Sequence, residues 1–257
     1  MRLIFELSGE HPTLPAAELG CVGKVLEARP RVAVAECPDP WTTTRLALTH
    51  VVLEELGSCG ASAGELSSLL RDLALSPDLP YAARVKKVEG SAVREPVPVL
   101  ERLMGTLIDG RVSLDRPGVE FRAILSGDRI YLGRVLLRID RGRYDLRRPS
   151  TRPFFHPGVM LPLTARAVVN LSLVSPGETL HDPFCGTGGI LGEAALVGAA
   201  PLGSDADPSM VAGCRLNFPE VPLFLADATA LPLRPSAVDA VVTDLPYGQS
   251  SWVRDRS

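Results

Sequence analysis

From residue 159 onward, short apolar segments of strand character alternate with segments of helical periodicity. This alternation restricts the fold more than any other feature of the chain. Strands separated by helices pair in parallel, because each helix returns the chain to the start of the next strand. The sequence therefore predicts an α/β fold with a mostly parallel sheet in this half. The predicted helices cover 163–173 and 189–197, and the predicted strands cover 179–184, 201–205, 222–227 and 237–244.

The first half of the chain has an α+β pattern, in which strands and helices follow each other without regular alternation. The predicted strands cover 3–7, 31–36 and 81–90, with two or three more inside 111–140, and a turn is predicted at 57–64. Helical periodicity covers 14–26, 64–75 and 96–110, and 42–56 predicts an amphipathic helix capped by threonine. The connector at 141–158 is dense in arginine and proline and has no periodicity, so we place a domain boundary near residue 150.

The composition is that of a globular protein in a reducing compartment. With 257 residues the chain has room for more than one domain. The five cysteines are widely spaced and form no CxxC pair, which argues against a disulfide framework and against a zinc site. No apolar stretch approaches the roughly 20 residues of a membrane span, and the first residues do not resemble a secretion signal. We therefore expect a cytoplasmic protein without a metal or a membrane partner.

Charge is distributed unevenly along the chain, although the net charge is only −3. Residues 84–152 carry 16 basic and 9 acidic side chains, whereas the segments before and after them each have a net charge of −5. A basic segment between two acidic ones favours a polyanionic partner such as a nucleic acid. A basic face that docks on an acidic neighbouring domain explains the same pattern, so charge alone leaves both interpretations open.

The segment DPFCGTGG at 182–189 lies where a predicted strand meets a predicted helix. Its glycines let the backbone approach a ligand closely, and the first N–H groups of the helix attract an anion. The spacing is not the full GxGxxG of nicotinamide-binding proteins. Asp182 would repel a pyrophosphate, but it suits a ligand with an ammonium and a sulfonium, such as S-adenosylmethionine. The alternative is a structural turn that binds no ligand.

Two more aspartates end the next two predicted strands. Asp205 stands where a carboxylate can accept both hydroxyls of a ribose, and Asp227 or the backbone of Ala228 can bond an adenine edge. Three acidic strand ends in succession match the side on which open α/β sheets bind ligands. Asp207, by contrast, is expected to cap the helix that follows it.

The segment TDLPYG at 243–248 follows the fourth predicted strand and is typical of enzymes that methylate an amino group. An amine conjugated to a nucleobase is a poor nucleophile, because its lone pair is delocalised. The carboxylate of Asp244 and the carbonyl of Leu245 can each accept one N–H of such an amine, which aims the lone pair at the methyl carbon. Pro246 stiffens the turn, and Tyr247 offers a ring on which a base can stack. A turn without a catalytic role is the alternative.

Four segments together resemble the archaeal tRNA guanine-10 N2-methyltransferase family: RPFFHPGVMLPLTARAVVNLSLV, DPFCGTGGILGEAALVGA, LGSDADPSMV and TDLPYG. The resemblance covers 152–251 well and continues more loosely through YAARVKKVEG and VSLDRPGVEFRAILSGDRIYLGRVL. It implies an N-terminal ferredoxin-like region at 1–48, a THUMP-type RNA-binding domain at 49–150 and a Rossmann-like S-adenosylmethionine-dependent methyltransferase domain at 151–257. Because related sheets have seven strands and this chain stops at Ser257, we expect a methyltransferase sheet truncated after strand 4.

The resemblance also implies roles for individual residues. The residues expected to bind the cofactor are Asp182, Phe184, Gly186, Thr187, Gly188, Asp205, Asp227 and Ala228. The residues expected to hold the target guanine are Asp244, Leu245, Pro246 and Tyr247. Leu245 replaces the commoner proline, which the position tolerates because it supplies a backbone carbonyl. His156 belongs to a segment that lies near the cofactor in the family.

The resemblance also implies a partner for the basic segment at 84–152, because its side chains can contact the phosphates of a folded tRNA. The candidates are Arg84, Lys86, Lys87, Arg138, Arg141, Arg143, Arg147 and Arg148. The sequence thus predicts S-adenosylmethionine-dependent methylation of the exocyclic N2 amine of a guanine in tRNA, at position 10. Two alternatives stay open: a related amino-methyltransferase acting on rRNA, and a non-catalytic RNA-binding protein whose truncated methyltransferase domain is a scaffold or binds a partner protein that supplies the missing strands.

Overall fold

The computed structural model describes residues 1–245, which form two compact units. The first unit consists of Met1–Thr44 and Leu48–Ile139, and the second of Arg45–Ala47 and the described residues from Asp140 onward. The division of the chain into 1–48, 49–150 and 151–257 stays a prediction. Among the described residues, no helix combines the length and the apolar character that crossing a membrane requires.

Seven strands and three helices form the first unit. The strands are β1 (Arg2–Leu7), β2 (Lys24–Arg29), β3 (Val32–Glu36), β4 (Thr49–Gly60), β5 (Tyr81–Lys87), β6 (Val119–Ser126) and β7 (Arg129–Arg138). The helices are α1 (Leu14–Glu18), α2 (Ala63–Leu73) and α3 (Val97–Leu107). The strands form one sheet in the order β2-β3-β1-β4-β7-β6-β5. All neighbours pair antiparallel except β5 and β6, which are parallel.

Helices α2 and α3 pack on one face of this sheet. Leu66 and Leu70 of α2 are spaced four residues apart, as are Leu100 and Met104 of α3, so each pair projects from one side of its helix. All four side chains are buried in a single cluster with Phe121 of β6. The periodicity predicted at 64–75 and at 96–110 is therefore confirmed, as are the strands predicted at 3–7, 31–36 and 81–90.

The helix predicted at 42–56 is wrong. A 3-10 turn at Pro40–Arg45 is followed by β4, which lies between β1 and β7 near the middle of the sheet. Val51, Val52 and Leu53 are all buried, because both faces of this strand are covered. A strand buried on both faces loses the alternation that marks a half-buried strand, and its apolar run is easily taken for a helix.

The helix predicted at 14–26 is also too long. The α-helix ends at Glu18, a 3-10 turn covers Leu19–Cys21, and β2 begins at Lys24. Gly20 and Gly23 interrupt the segment, and glycine is a poor helix former. The turn predicted at 57–64 begins later than expected, since β4 continues to Gly60.

Among residues 1–245, the second unit contains a parallel sheet of four strands, and the predicted parallel arrangement is confirmed. Its strands are β8 (Thr179–Asp182), β9 (Ala200–Asp205), β10 (Leu223–Leu225) and β11 (Ala240–Val241), and its helices are α4 (Pro162–Leu171), α5 (Gly189–Leu196) and α6 (Pro208–Asn217). The order is β10-β9-β8-β11, and every pair is parallel. Leu180 of β8 is buried in one cluster with Ala165 and Val169 of α4 and Ile190 of α5.

The order of the strands reverses at β8. From β8 the chain adds β9 and β10 on one side and then returns to place β11 on the other. In open α/β sheets, ligands bind in the crevice outside the carboxyl ends of the strands at such a point. Asp182 ends β8 at this edge, and the chain passes Asp244 just after β11.

Candidate cofactor and acceptor site

The loop at 183–188 joins β8 to α5 and contains two glycines in the left-handed region, Gly186 with φ +49° and Gly188 with φ +84°. Residues with a Cβ rarely adopt this conformation. A Cβ on Gly188 would also lie 2.7 Å from Cys214 Sγ and 2.7 Å from the Phe218 ring. Glycine is therefore required at 188 both for its backbone angles and for the close approach of α6.

Asp182 is a buried carboxylate at the end of β8, only 2% exposed. Burial raises the pKa of its carboxyl from 3.8 to about 7, and the neighbouring carboxylates of Asp205 and Asp244 add to the rise. The backbone N–H of Phe184, which donates to Asp182 Oδ1 at 3.1 Å, opposes it. A ligand with a positive charge at this point would favour the ionised carboxylate.

Asp205 ends β9 and binds the backbone with both of its oxygens. Oδ2 accepts the N–H of Gly186 at 2.9 Å, and Oδ1 accepts the N–H of Asp207 at 3.0 Å. The carboxylate thus holds the glycine loop in place. Asp207 caps α6, as predicted, because its Oδ1 accepts the N–H of Ser209 at 2.7 Å.

Thr187 and Asp227 differ in their surroundings. Thr187 is buried in the glycine loop, and its Oγ1 has no hydrogen-bond partner within residues 1–245, so this hydroxyl is available to a ligand. Asp227 follows β10 and is exposed, and its Oδ1 accepts from the backbone and the hydroxyl of Thr229. Ala228, next in the chain, is partly buried.

The predicted acceptor motif lies at the limit of the described residues. Asp244 is partly buried, and its charge contributes to the raised pKa of Asp182. Leu245 is 61% exposed. Pro246 and Tyr247 lie outside the described residues.

One residue of the site carries no sequence signal. Asn217, the last residue of α6, donates from Nδ2 to the carbonyls of Phe154 (2.9 Å) and Thr187 (3.0 Å). Its Oδ1 accepts the N–H of Phe154 at 2.9 Å. A single side chain therefore fastens the segment around Phe154 to the glycine loop. His156, two residues on, donates from Nδ1 to the carbonyl of Pro157 at 2.8 Å.

The eight basic residues predicted to contact RNA are divided between the units. Arg84, Lys86, Lys87 and Arg138 belong to the first unit, and Arg141, Arg143, Arg147 and Arg148 belong to the second. In the first unit, Arg84 donates to the carbonyl of Leu114 at 3.0 Å, and Arg138 pairs with Glu120. Lys86 is partly buried on β5, and Lys87 donates to the carbonyl of Val93.

In the second unit, two of these arginines bind carboxylates of the protein. Arg147 forms a two-pronged pair with the buried Glu193, at 2.8 Å and 3.1 Å. Arg148 pairs with Asp145 at 2.7 Å in an exposed position. A pair with a buried carboxylate is costly to break, whereas an exposed pair exchanges partners readily. Arg147 therefore has a structural role in the unit.

Known proteins resemble the chain along most of its length. The model of the UPF0020 family, described as RMKL-like, methyltransferase domain, matches residues 149–253. The tRNA (guanine(10)-N2)-dimethyltransferase of Methanothermobacter thermautotrophicus is 37% identical over 272 residues, which cover 98% of this chain and 79% of that protein. The protein of the same name from Pyrococcus abyssi is 29% identical over 262 residues, which cover 96% of this chain and 78% of that protein. The crystal structure of TrmN from Thermus thermophilus is similar in fold, with a TM-score of 0.51 at 20% identity over 96% of this chain and 80% of that one.

The strand order, the glycine loop and the matching family model define a Rossmann-like methyltransferase domain in the second unit. The relatives identify the family more closely. The chain belongs to the tRNA (guanine(10)-N2)-dimethyltransferase family.

Proposed function

We propose that this protein transfers a methyl group from S-adenosylmethionine to the exocyclic N2 amine of a guanine at position 10 of tRNA. The observation that carries the proposal is the placement of Asp182 at the end of β8 and of Asp244 shortly after β11, the neighbouring strand on the other side of the point where the strand order reverses. The nucleotide and the RNA class follow from the relatives, which are named for this reaction.

The residues around the glycine loop fit S-adenosylmethionine, which supplies a methyl group on a sulfonium. Asp182 is a buried carboxylate whose raised pKa falls again when a cation approaches. Asp205 has a second lone pair on each oxygen, so it can accept ribose hydroxyls while it holds Gly186. Gly186 leaves open the space that a Cβ would fill, whereas at Gly188 that space is occupied by Cys214 and Phe218. Asp227 and Ala228 are assigned to the adenine.

Asp244 and the carbonyl of Leu245 are assigned to the target amine. Each accepts one N–H, which directs the nitrogen lone pair at the methyl carbon and stabilises the positive charge that develops on nitrogen. Asp244 then takes up the proton that the amine must lose. Pro246 and Tyr247, outside the described residues, are assigned the stiff turn and the stacking ring.

We assign recognition of the tRNA body to a THUMP-type domain in the first half of the chain, through basic residues such as Arg84, Lys86 and Lys87. Contacts of this kind act on phosphates, so binding weakens steeply with rising salt. Arg138, Arg141, Arg143 and Arg148 are further candidates, whereas Arg147 binds Glu193.

Methyl transfer from labelled S-adenosylmethionine to tRNA transcripts tests the proposal, with Asp244→Asn and the exposed, matched Glu220→Gln compared in parallel. We expect Asp244→Asn to lower kcat by roughly 100-fold or more and to leave tRNA binding intact, and Glu220→Gln to behave as the unmodified protein. Incorporation by Asp244→Asn at the rate of the unmodified protein would contradict the mechanism. No incorporation by the unmodified protein, with tRNA binding retained, would favour a non-catalytic RNA-binding protein.

A further inference from the structure

Arg152 lies beside the glycine loop, and no part of the proposed function uses it. Its guanidinium carbon is 5.1 Å from the centre of the Phe218 ring. Its Nη1 is 3.8 Å from the position that a Cβ on Gly189 would occupy. Because Gly189 is the first residue of α5, the guanidinium flanks the start of that helix. Stacking on an aromatic ring holds a guanidinium in one orientation while its edge stays available for hydrogen bonds.

The Nη1 nitrogen of Arg152 is buried and has no hydrogen-bond partner among the residues that the structure describes. Glu193 is the carboxylate whose charge acts most strongly on Arg152. It already has other partners, since Arg147 binds both of its oxygens and Arg166 binds Oε2 at 2.8 Å. A charged donor that is buried and unsatisfied costs free energy unless a ligand supplies an acceptor. The position of Arg152 therefore suits a bound anion.

The segment that carries Arg152 is fixed to the loop. Phe154, two residues along the chain, is clamped through both its N–H and its carbonyl by Asn217, which also bonds the carbonyl of Thr187. The backbone segment that carries Arg152 and the glycine loop are thus joined through the side chain of Asn217.

The charges of the site explain which anion is needed. The methionine part of S-adenosylmethionine bears a carboxylate next to its ammonium. Asp182, Asp205 and Asp244 attract the ammonium and the sulfonium but repel that carboxylate. The carboxylate is therefore stable only where a cation or a set of free N–H groups faces it, and both are found where Arg152 flanks the first turn of α5.

We propose that the Arg152 guanidinium binds the carboxylate of the methionine part of S-adenosylmethionine, and that Asn217 is the positioning residue that keeps Arg152 against the glycine loop. The inference rests on the proposed function, because it assigns a subsite within the same cofactor site.

Titration calorimetry with two ligands tests the proposal on the full chain. The ligands are S-adenosylhomocysteine and its analogue that lacks only the carboxylate, and the variants are Arg152→Met, Arg152→Lys and the exposed control Arg234→Met. We expect Arg152→Met to weaken binding of S-adenosylhomocysteine roughly 10–100-fold and to change binding of the analogue less than about threefold. Arg152→Lys should fall between, and Arg234→Met should change neither affinity.

Equal loss for both ligands, or no loss for either, would overturn the assignment of Arg152. So would weaker binding of tRNA with unchanged binding of S-adenosylhomocysteine, which would indicate an RNA phosphate as the anion. If the unmodified protein binds neither ligand, the proposed function fails instead. If Arg152→Met lowers the Tm, Arg152→Lys is used instead. A folding defect weakens binding of both ligands alike, so a loss of affinity for S-adenosylhomocysteine that exceeds the loss for the analogue supports the assignment of Arg152, and equal losses contradict it.

The positioning role of Asn217 has its own readout. Asn217→Ser removes the hydrogen bonds that hold Phe154. We therefore expect it to weaken the binding of S-adenosylhomocysteine more than the binding of the analogue, as Arg152→Met does. In the double variant with Arg152→Met, the Asn217 substitution should add little further loss for S-adenosylhomocysteine. Full additivity of the two losses would contradict positioning through Arg152.

Discussion

The carboxylate of Asp205 accepts the backbone N–H of Gly186 at 2.9 Å, although the two residues lie 19 positions apart in the chain. Its other oxygen accepts the N–H of Asp207. The loop after β8 is therefore ordered by the residue that ends β9. A carboxylate has lone pairs for two such bonds and for ribose hydroxyls as well, so both roles are compatible. The shape of the glycine loop depends on Asp205 before any ligand binds.

We predict that Asp205→Asn loosens the glycine loop. An amide has only one acceptor oxygen, so one of the two N–H donors would meet an NH₂ group and stay unsatisfied, at a cost of about 1–3 kcal/mol. Amide hydrogen exchange should show faster exchange at Gly186, and S-adenosylhomocysteine should bind at least about tenfold more weakly. Unchanged exchange at Gly186, with Glu220→Gln as the control, would contradict this role.

The affinity for S-adenosylmethionine should depend on the ionisation of Asp182. Its pKa in the free protein is about 7, and only the carboxylate attracts the ammonium. Affinity should therefore fall as pH decreases below 7, by up to about tenfold per unit, while the ligand ammonium stays charged. Calorimetry between pH 5 and 7 measures the slope. Asp182→Asn should bind weakly with no such slope, and a slope that persists in this variant would assign the titration to another group.

Asp182→Asn should stabilise the protein at neutral pH while it weakens cofactor binding. The folded pKa of about 7 lies above the ordinary 3.8, so folding takes up a proton between these values, and the stability contribution of Asp182 falls as pH rises from about 4 to 7. Above pH 7 the full penalty of about 4 kcal/mol is present. The gain in Tm from Asp182→Asn should accordingly be larger at pH 8 than at pH 4.5. A gain that is equal at both pH values would show that the carboxyl is not perturbed.

Gly188 and Gly177 have nearly the same φ but different surroundings, so alanine substitutions at the two positions distinguish the cost of backbone strain from the cost of overpacking. Gly188 (φ +84°) meets Cys214 and Phe218, whereas Gly177 (φ +86°) has nothing within 4 Å. Gly177→Ala should cost about 1 kcal/mol through backbone strain alone. Gly188→Ala should cost about 1–3 kcal/mol more because of overpacking. Urea unfolding of both variants measures the difference, and equal losses would show that α6 yields to the extra methyl group.

Much of the fold follows from local patterns, and the errors have a common cause. The helices α2 and α3 bury one side each, so their periodicity is plain. β4 has Val51, Val52 and Leu53 buried in succession because both faces of the strand are covered. That burial depends on the position of the strand within the sheet, which no local pattern contains.

Some residues of the candidate site are likewise recognisable from local sequence patterns, and others are not. Asp182, Gly188 and Asp205 are recognisable because they stand at strand ends or in a glycine-rich turn, where chain order indicates position. Arg152 and Asn217 lack such a marker. Their contacts with the glycine loop join residues 30 or more positions apart, and only the packing of α6 and of the 152–154 segment brings them together.

The most direct measurement is mass spectrometry of nucleosides from two tRNA transcripts that differ only at position 10, one with guanosine and one with inosine. Inosine lacks the exocyclic amine but keeps the rest of the base, so the protein should bind both transcripts alike. We predict N2-methylated guanosine from the first transcript, with the mass giving the number of methyl groups, and no methylation of the second. Equal methylation of both transcripts, or a methyl group at another position, would contradict the assignment of Asp244 and Leu245 to a guanine N2 amine.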